Sequence, residues 1–415
     1  MTAVKEHLAY KLQPAERRPV EVARQLAAAW AATAAERDRA GGNPKAERDA
    51  LRKSGLLSLA IPEEYGGWGA EWPEAIEVIY EIAKADGSLG HLYGYHTASI
   101  PMIELFGSSA QKENLYRTLA RTNAWAGNAS SENNSHVLDW RVSATPTPEG
   151  GYKLNGTKHF CSGAKDSDLL FVFGVIKGSP AEGSIIAAAI PSNREGIRIN
   201  DDWDAIGMRQ TDSGSTDFRD AVIHPHEVLG GPNSVIRAFA NSERGSLWTP
   251  TVQLVFSAVY LGIARGALGE AVGYTRTQSR PWTPAGVEKA TEDPYIIRTY
   301  GELAVQLQGA EAAAREAAHL LQAVWEKGDA VTPAARGELM VKVSGVKVLA
   351  TQAALDVTSR VFEAMGARSA HSRYGYDRFW RNVRTHTLHD PVAYKLRDVG
   401  YYTLNGGYPV PGFTS

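Results

Sequence analysis

Two short runs in this chain combine side chains able to move protons. His91 and Tyr95 stand four apart in His91-Leu92-Tyr93-Gly94-Tyr95-His96, so on a helix they project from one face. The same spacing describes a core His–Tyr pair bonded to each other, but three hydrogen-bonding side chains beside Gly94, flanked by Leu89, Ile100 and Ile103, suit a pocket lining. His386 and His389 precede Asp390-Pro391. Histidine titrates near neutral pH and can serve as a general acid; the alternative is a pair of helix C-terminal residues favoured by the dipole. A metal centre is not expected, because neither a metalloprotease nor a facial-triad spacing is present.

Two arginines could hold a phosphate through a fixed charge and a planar fork of donors. Arg280 lies in a proline-rich loop over residues 279–287, and Arg368 follows Gly366-Ala367; either could instead form a surface ion pair. Cys161 is the only cysteine, cannot form an internal disulfide and has no local signature of a nucleophile, so it reads as structural and fits a reducing cytoplasm.

The elements that must position these groups fall into three zones, 1–123, 124–232 and 233–415. Residues 15–39 read as one alanine-rich helix stopped by Gly41-Gly42-Asn43-Pro44, with further helices over 47–54, 73–85 and after Gly87-Ser88. A turn-rich insert occupies 61–69; it lacks both the Walker lysine and a G-x-G-x-x-G spacing. Short extended runs follow at 169–176, 184–190 and 216–222. Asn155-Gly156 predicts a hairpin turn that returns the chain and presents Ser162. Helical spacing resumes at 252–277, 295–327 and 333–365, in long alanine-rich segments suited to a bundle and to oligomer contacts.

At 415 residues the chain is too long for one core. Its 44 basic residues are scattered among 46 acidic ones, which argues against a nucleic-acid groove. The first residues lack the apolar core of a secretory signal, and the longest apolar run, 254–264, is short for a bilayer span, so a soluble intracellular protein is expected.

Three segments, 124–133, 154–164 and 203–216, occur in the order of the flavin-facing β-domain of the acyl-CoA dehydrogenase superfamily, which the chain resembles. Pro62-Glu63-Glu64-Tyr65-Gly66-Gly67 and residues 241–245 match the family as well. The resemblance implies an α+β fold: an N-terminal helical domain, a central β-barrel-like domain and a C-terminal helical bundle. Acyl-CoA dehydrogenases use a glutamate base near the C-terminal end, and Arg384-Thr385-His386-Thr387-Leu388-His389-Asp390-Pro391 shows none recognisable. That departure, with residues 127–140, 160–165, 378–386 and 412–415, points to the family's flavin monooxygenase branch.

Membership of that branch implies reduced FMN from a separate NAD(P)H-dependent flavin reductase, dioxygen as cosubstrate and a homotetramer. It also implies two oxygenations of a dibenzothiophene-like sulfur, to sulfoxide and then sulfone, by a flavin C4a-hydroperoxide. By the same resemblance Ser162 lies near flavin N5, His389 donates to the departing oxygen, and His91 and Tyr95 complete the catalytic network. Tyr95, Asn128, Ser162, Trp203, Arg280 and Arg368 are the expected cofactor contacts; Trp203 either walls the flavin or fills the β-core, and Arg368 serves a neighbouring subunit. Oxygenation of another heteroaromatic such as indole, an acyl-CoA desaturase and a non-catalytic oligomer are the other readings.

Overall fold

The computed structural model describes residues 18–133, 139–231, 234, 242–413 and 415. Parts of the expected family segments, residues 134–138, 241 and 414, and the start of the first expected helix, lie outside the described residues.

The N-terminal helices are α1 (Pro19–Ala31), α2 (Ala34–Ala40), α3 (Lys45–Ser54), α4 (Trp72–Ala85), α5 (Gly87–Phe106) and α6 (Ser109–Thr122). The single helix expected over 15–39 is interrupted at Ala32-Thr33; Arg37 donates to the Trp30 carbonyl at 3.2 Å, holding the break. Helix α5 starts where Asp86 accepts from the backbone N–H groups of Ser88 and Leu89, two of the donors a helix start leaves unpaired. It is buried on nearly all faces, packed between α4 and the later α7. Gly94 makes this possible, since a Cβ there would meet Val255 at 2.9 Å.

Strands β1 (Ala126–Ala129), β2 (Ser143–Pro146), β3 (Tyr152–Lys158), β4 (Leu169–Ile176), β5 (Ile185–Pro191), β6 (Ile197–Ile199) and β7 (Thr216–Ile223) form one curled half-barrel sheet. β5 borders β4; β1 and β2 share the other edge of β4, followed by β3, β7 and β6. The continuous apolar run of β4 has its reason here. Leu170, Val172 and Ile176 enter the β-core, whereas Phe171, Phe173 and Val175 face the helical core, so both faces are buried.

Asn155-Gly156 is not a turn. It lies inside β3, where the pairing with β7 slips between Leu154 and Gly156 and Gly156 takes φ 131°. This is a β-bulge, and Asn155 locks it by exchanging two side-chain hydrogen bonds with Asp220 at 3.1 and 2.9 Å. The reversal occurs earlier, where Thr147 N–H meets the Gly151 carbonyl and β2 turns into β3.

The C-terminal helices are α7 (Trp248–Thr277), α8 (Pro294–Trp325), α9 (Pro333–Met365), α10 (Asp377–His386) and α11 (Val392–Asn405). Contrary to the short apolar run expected, residues 245–277 are long and apolar enough to span a bilayer by composition, but 83% of the most apolar window is buried within the protein. α7 is the central core helix, touching α4, α5, α8, α9 and α10.

Candidate active site

Ser162 sits where three loops converge. Its carbonyl accepts from Asn128 N–H of β1 at 3.2 Å, while Cys161 and Gly163 donate to Gly214 and Thr211 at 3.0 and 3.1 Å. The loop is bent by two left-handed residues, Phe160 (φ 55°) and Gly163 (φ 68°). For a phenylalanine that conformation is costly, and strain of this kind clusters where a loop is held for function. Arg48, fully buried, clamps the far side: its guanidinium donates to the Gly163 and Lys165 carbonyls and stacks 4.4 Å from the Trp125 ring. Burial pushes its pKa down to about 10.

The hydroxyls around Ser162 form one continuous hydrogen-bonded chain. Thr211 Oγ1 lies 2.9 Å from the Met208 carbonyl and 2.7 Å from Ser213 Oγ. Ser213 Oγ lies 2.7 Å from Ser162 Oγ, which lies 2.9 Å from His91 Nε2. Each hydroxyl has one hydrogen, so the tautomer of His91 sets the direction in which the whole chain points. His91 Nδ1 is buried with no hydrogen-bond partner, and burial lowers its pKa to about 3, so the ring is neutral.

Helices α5, α7 and α10 bring the other groups to the same place. The His91 ring is edge-on to Tyr95 at 4.9 Å and to His386 at 4.4 Å. Phe256 and Tyr260, one turn apart on α7, pack on the histidines; Tyr260 lies 2.8 Å from His386 Nδ1 and donates to the His386 carbonyl at 3.1 Å. His389 Nδ1 meets Asp390 at 2.9 Å with its side chain 38% exposed, giving this cluster a solvent-facing member.

His386 and His389 therefore differ. His386 is the last residue of α10, as the helix-terminus reading had it, but it is buried and its pKa is driven well below the ordinary value, so it is no cation on the dipole. It touches His91, whereas His389 pairs with Asp390. His96, in the same run as His91, is structural: Nε2 bonds the Leu57 carbonyl and Nδ1 accepts from Ala126 N–H, tying α5 to β1.

Of the expected cofactor residues, Tyr95, Asn128, Ser162 and Trp203 lie around these loops. Asn128 buttresses from behind, its amide reaching the Phe160 carbonyl at 3.4 Å. Trp203 donates to Met208 O at 2.8 Å and packs edge-on to Phe160. Its loop, 200–215, holds no strand; Asp202 organises it by accepting from Ser215 N–H and Oγ.

Arg280 and Arg368 are not brought to this cluster. Both are exposed beyond the far end of α7, where Arg368 donates to the Gln278 carbonyl. Seventeen residues of helix separate Tyr260 from Thr277, roughly 25 Å at 1.5 Å per residue. Cys161 is buried in the β-core and its thiol is pushed up to about 12. Among the described residues no cluster of three metal-ligating side chains occurs. A separate cavity of about 220 Å³, lined by Trp72, Pro101, Tyr116 and Trp325, lies beyond the other end of α5 and holds none of these histidines.

Sequence reading missed Phe256, Tyr260, Ser213, Thr211 and Lys347. The one detectable signal was Lys347, a lone lysine between Val343, Val346 and Val348 on a helix face that is otherwise buried.

The acyl-CoA dehydrogenase N-terminal, middle and C-terminal domains match residues 13–123, 129–221 and 254–393. The dibenzothiophene monooxygenase of Rhodococcus qingshengii is 70% identical, over 97% of this chain and 96% of its own length. The chain belongs to the dibenzothiophene monooxygenase family. A probable FMNH2-dependent monooxygenase of Pseudomonas putida, SfnC, is 42% identical over 95% and 96% of the two chains. Among solved structures, TdsC from Paenibacillus sp. A11-2 in complex with FMN and indole aligns with a TM-score of 0.93 at 57% identity, covering 96% of this chain and all of that one.

Proposed function

We propose that this chain is a reduced-FMN-dependent monooxygenase that oxidises the sulfur of dibenzothiophene to the sulfoxide and then the sulfone. The observation that carries this reading is the hydrogen-bonded chain from Met208 to His91, ending beside two buried and unpartnered ring nitrogens, His91 Nδ1 and His386 Nε2. A buried polar atom without a partner costs about 1–3 kcal/mol, a cost that a bound group can relieve. Two unpartnered imidazole nitrogens, with Phe160, Trp203 and Tyr95 nearby, suit a planar aromatic group with hydrogen-bonding edges, which describes a reduced isoalloxazine.

Tyr95, Asn128, Ser162 and Trp203 would hold that ring. When bound, reduced FMN supplies two electrons and activates dioxygen, by the hydroperoxide that the resemblance implies. The protein's part is to exclude water from a largely apolar surround and to place hydrogen bonds in advance. With His91 as the Nε2–H tautomer, Ser162 accepts its hydrogen bond and donates its own to Ser213, so its oxygen stays oriented. His389, half-open to solvent and paired with Asp390, is the group able to take a proton from water and return it to the departing oxygen.

The finer reading extends to the assembly. Arg280 and Arg368 would reach a flavin phosphate only from another copy, which fits a homotetramer. Exposed Val305, Leu349, Trp380, Tyr401 and Leu404 on the C-terminal helices supply apolar surface for such contacts. Reduced FMN would come from an NAD(P)H-dependent reductase by diffusion, in the cytoplasm.

The test is a turnover assay with a flavin reductase confined behind a dialysis membrane. Sulfoxide followed by sulfone is expected on the protein's side, and an apolar pocket, where a methylene changes discrimination by about 1–3 kcal/mol, should also accept alkylated analogues and indole. Products only when the reductase is mixed in would reject diffusive supply. Rejection of dibenzothiophene with turnover of indole would establish the other heteroaromatic reading, for which the indole-bound TdsC is the supporting observation.

A further inference from the structure

A full positive charge is buried behind the histidines. Lys347, at mid-length in α9, has no exposed surface, and its Nζ lies 4.9 and 4.7 Å from the Phe256 and Tyr260 ring centroids. Removing an ammonium from water costs several kcal/mol unless its hydrogen bonds and a countercharge are supplied. Both are present: Nζ donates to the Tyr260 hydroxyl at 3.0 Å and stands 3.7 Å from Asp390 Oδ1.

We propose that Lys347 is a positioning residue for the oxygenation, holding Tyr260 on one side and Asp390 on the other and, through them, fixing the proton placement of His386 and His389. The inference rests on the function proposed above.

Hydrogen accounting on Tyr260 supports the first half. Its oxygen accepts from Lys347, and its single hydrogen lies within reach of both the His386 carbonyl at 3.1 Å, which also accepts from His389 N–H, and His386 Nδ1 at 2.8 Å. In the arrangement proposed the hydrogen goes to the carbonyl and the ring donates, which makes His386 the Nδ1–H tautomer and leaves Nε2 bare toward the His91 side. On the other half, Lys347, then the His389 hydrogen bond and Lys395, outweigh burial and keep the Asp390 carboxylate well below its usual pKa, so it stays an acceptor.

The titratable and charged groups that face Lys347 are Tyr260 from α7, His386 from α10, Asp390 from the segment leading into α11 and Lys395 from α11 itself. Burial pushes Lys347 down to about 8 against the opposing pull of Asp390. The hold on both partners therefore weakens as pH rises through that value.

The experiment uses the full-length, FMN-saturated protein and its Tyr260→Phe, Lys347→Met and Lys347→Met/Asp390→Asn variants. The double variant avoids stranding a buried carboxylate, and Tyr260→Phe removes one hydroxyl only. The readouts are oxygenated sulfur product per reduced FMN consumed, FMN affinity and the pH profile. In all three variants coupling should fall roughly ten- to a hundred-fold, the range set by losing a hydrogen bond to a charged group, with FMN affinity within about two-fold.

Wild type should lose coupling as pH rises through about 8, and both Lys347→Met variants should lack that limb. Independently of flavin, ¹⁵N spectra of histidine-labelled wild type should show His386 protonated at Nδ1, and Tyr260→Phe a mixture of tautomers. Folded variants with wild-type coupling and tautomer overturn the proposal, as does a proportional loss of coupling and FMN affinity, which marks a merely structural role. Wild type that returns only hydrogen peroxide defeats the proposed function and this inference together; coupled wild type with unaffected variants defeats the inference alone.

Discussion

His91→Phe should lower sulfur oxygenation by about 10²- to 10⁴-fold, the range typical of a positioned proton-handling group, while reduced FMN continues to be oxidised to hydrogen peroxide. Phenylalanine keeps the ring contacts with Tyr95, Phe256 and His386 and removes only the nitrogens. Ser162 then loses its sole hydrogen-bond partner from α5, and the direction of the Ser162–Ser213–Thr211 chain is no longer anchored at its upper end. Product and peroxide measured in the same reaction check this; equal losses of both would indicate a damaged fold. Because burial holds His91 near a pKa of about 3, its titration should contribute no inflection to the wild-type rate between pH 5 and 8.

Arg48→Met is the substitution expected to affect stability most, by about 3–5 kcal/mol, the usual cost of removing one member of a buried charge cluster. Arg48 joins α3 to the 163–166 turn through two carbonyls, lies 3.5 and 3.8 Å from the carboxylates of Asp166 and Asp212, and stacks on Trp125. Methionine fills part of the volume but leaves those carbonyls without their donor and Asp212 buried without the cation beside it. Equilibrium urea unfolding measures the loss. A change below about 1 kcal/mol would show that Arg52, already bonded to Asp166 at 2.8 Å, carries the clamp instead.

Much of this architecture could be read from the residues because local signals agreed with the final packing. The bounds of α9 follow from Pro333 at its start and Gly366 after its end, and β4 from an apolar run bounded by turn residues. Asn155-Gly156 misled because a left-handed glycine serves a bulge as well as a turn, and the choice depends on β7, more than 60 residues later, supplying Asp220 as partner. Spacing placed His91 with Tyr95, but only tertiary packing brings α7 and α10 against them, with α9 behind. No local pattern reveals that Tyr260 and Lys347 meet, since they are 87 residues apart; the lone lysine on an apolar face marks Lys347 as unusual without naming its partner. The two arginines were legible through the resemblance alone, and their place in this chain was not: Arg280 follows α7 and Arg368 follows α9, beyond the end of α7 that lies roughly 25 Å along the helix from Tyr260.

The most direct test of the account is a single turnover in ¹⁸O₂. Protein loaded anaerobically with reduced FMN and dibenzothiophene is mixed with labelled oxygen, and the sulfur products are analysed by mass. The site described here predicts sulfoxide carrying one ¹⁸O, and sulfone carrying two after a second turnover, both strongly reduced in His91→Phe. Unlabelled product, or peroxide as the only outcome with wild-type protein, would contradict oxygen transfer to sulfur at this cluster.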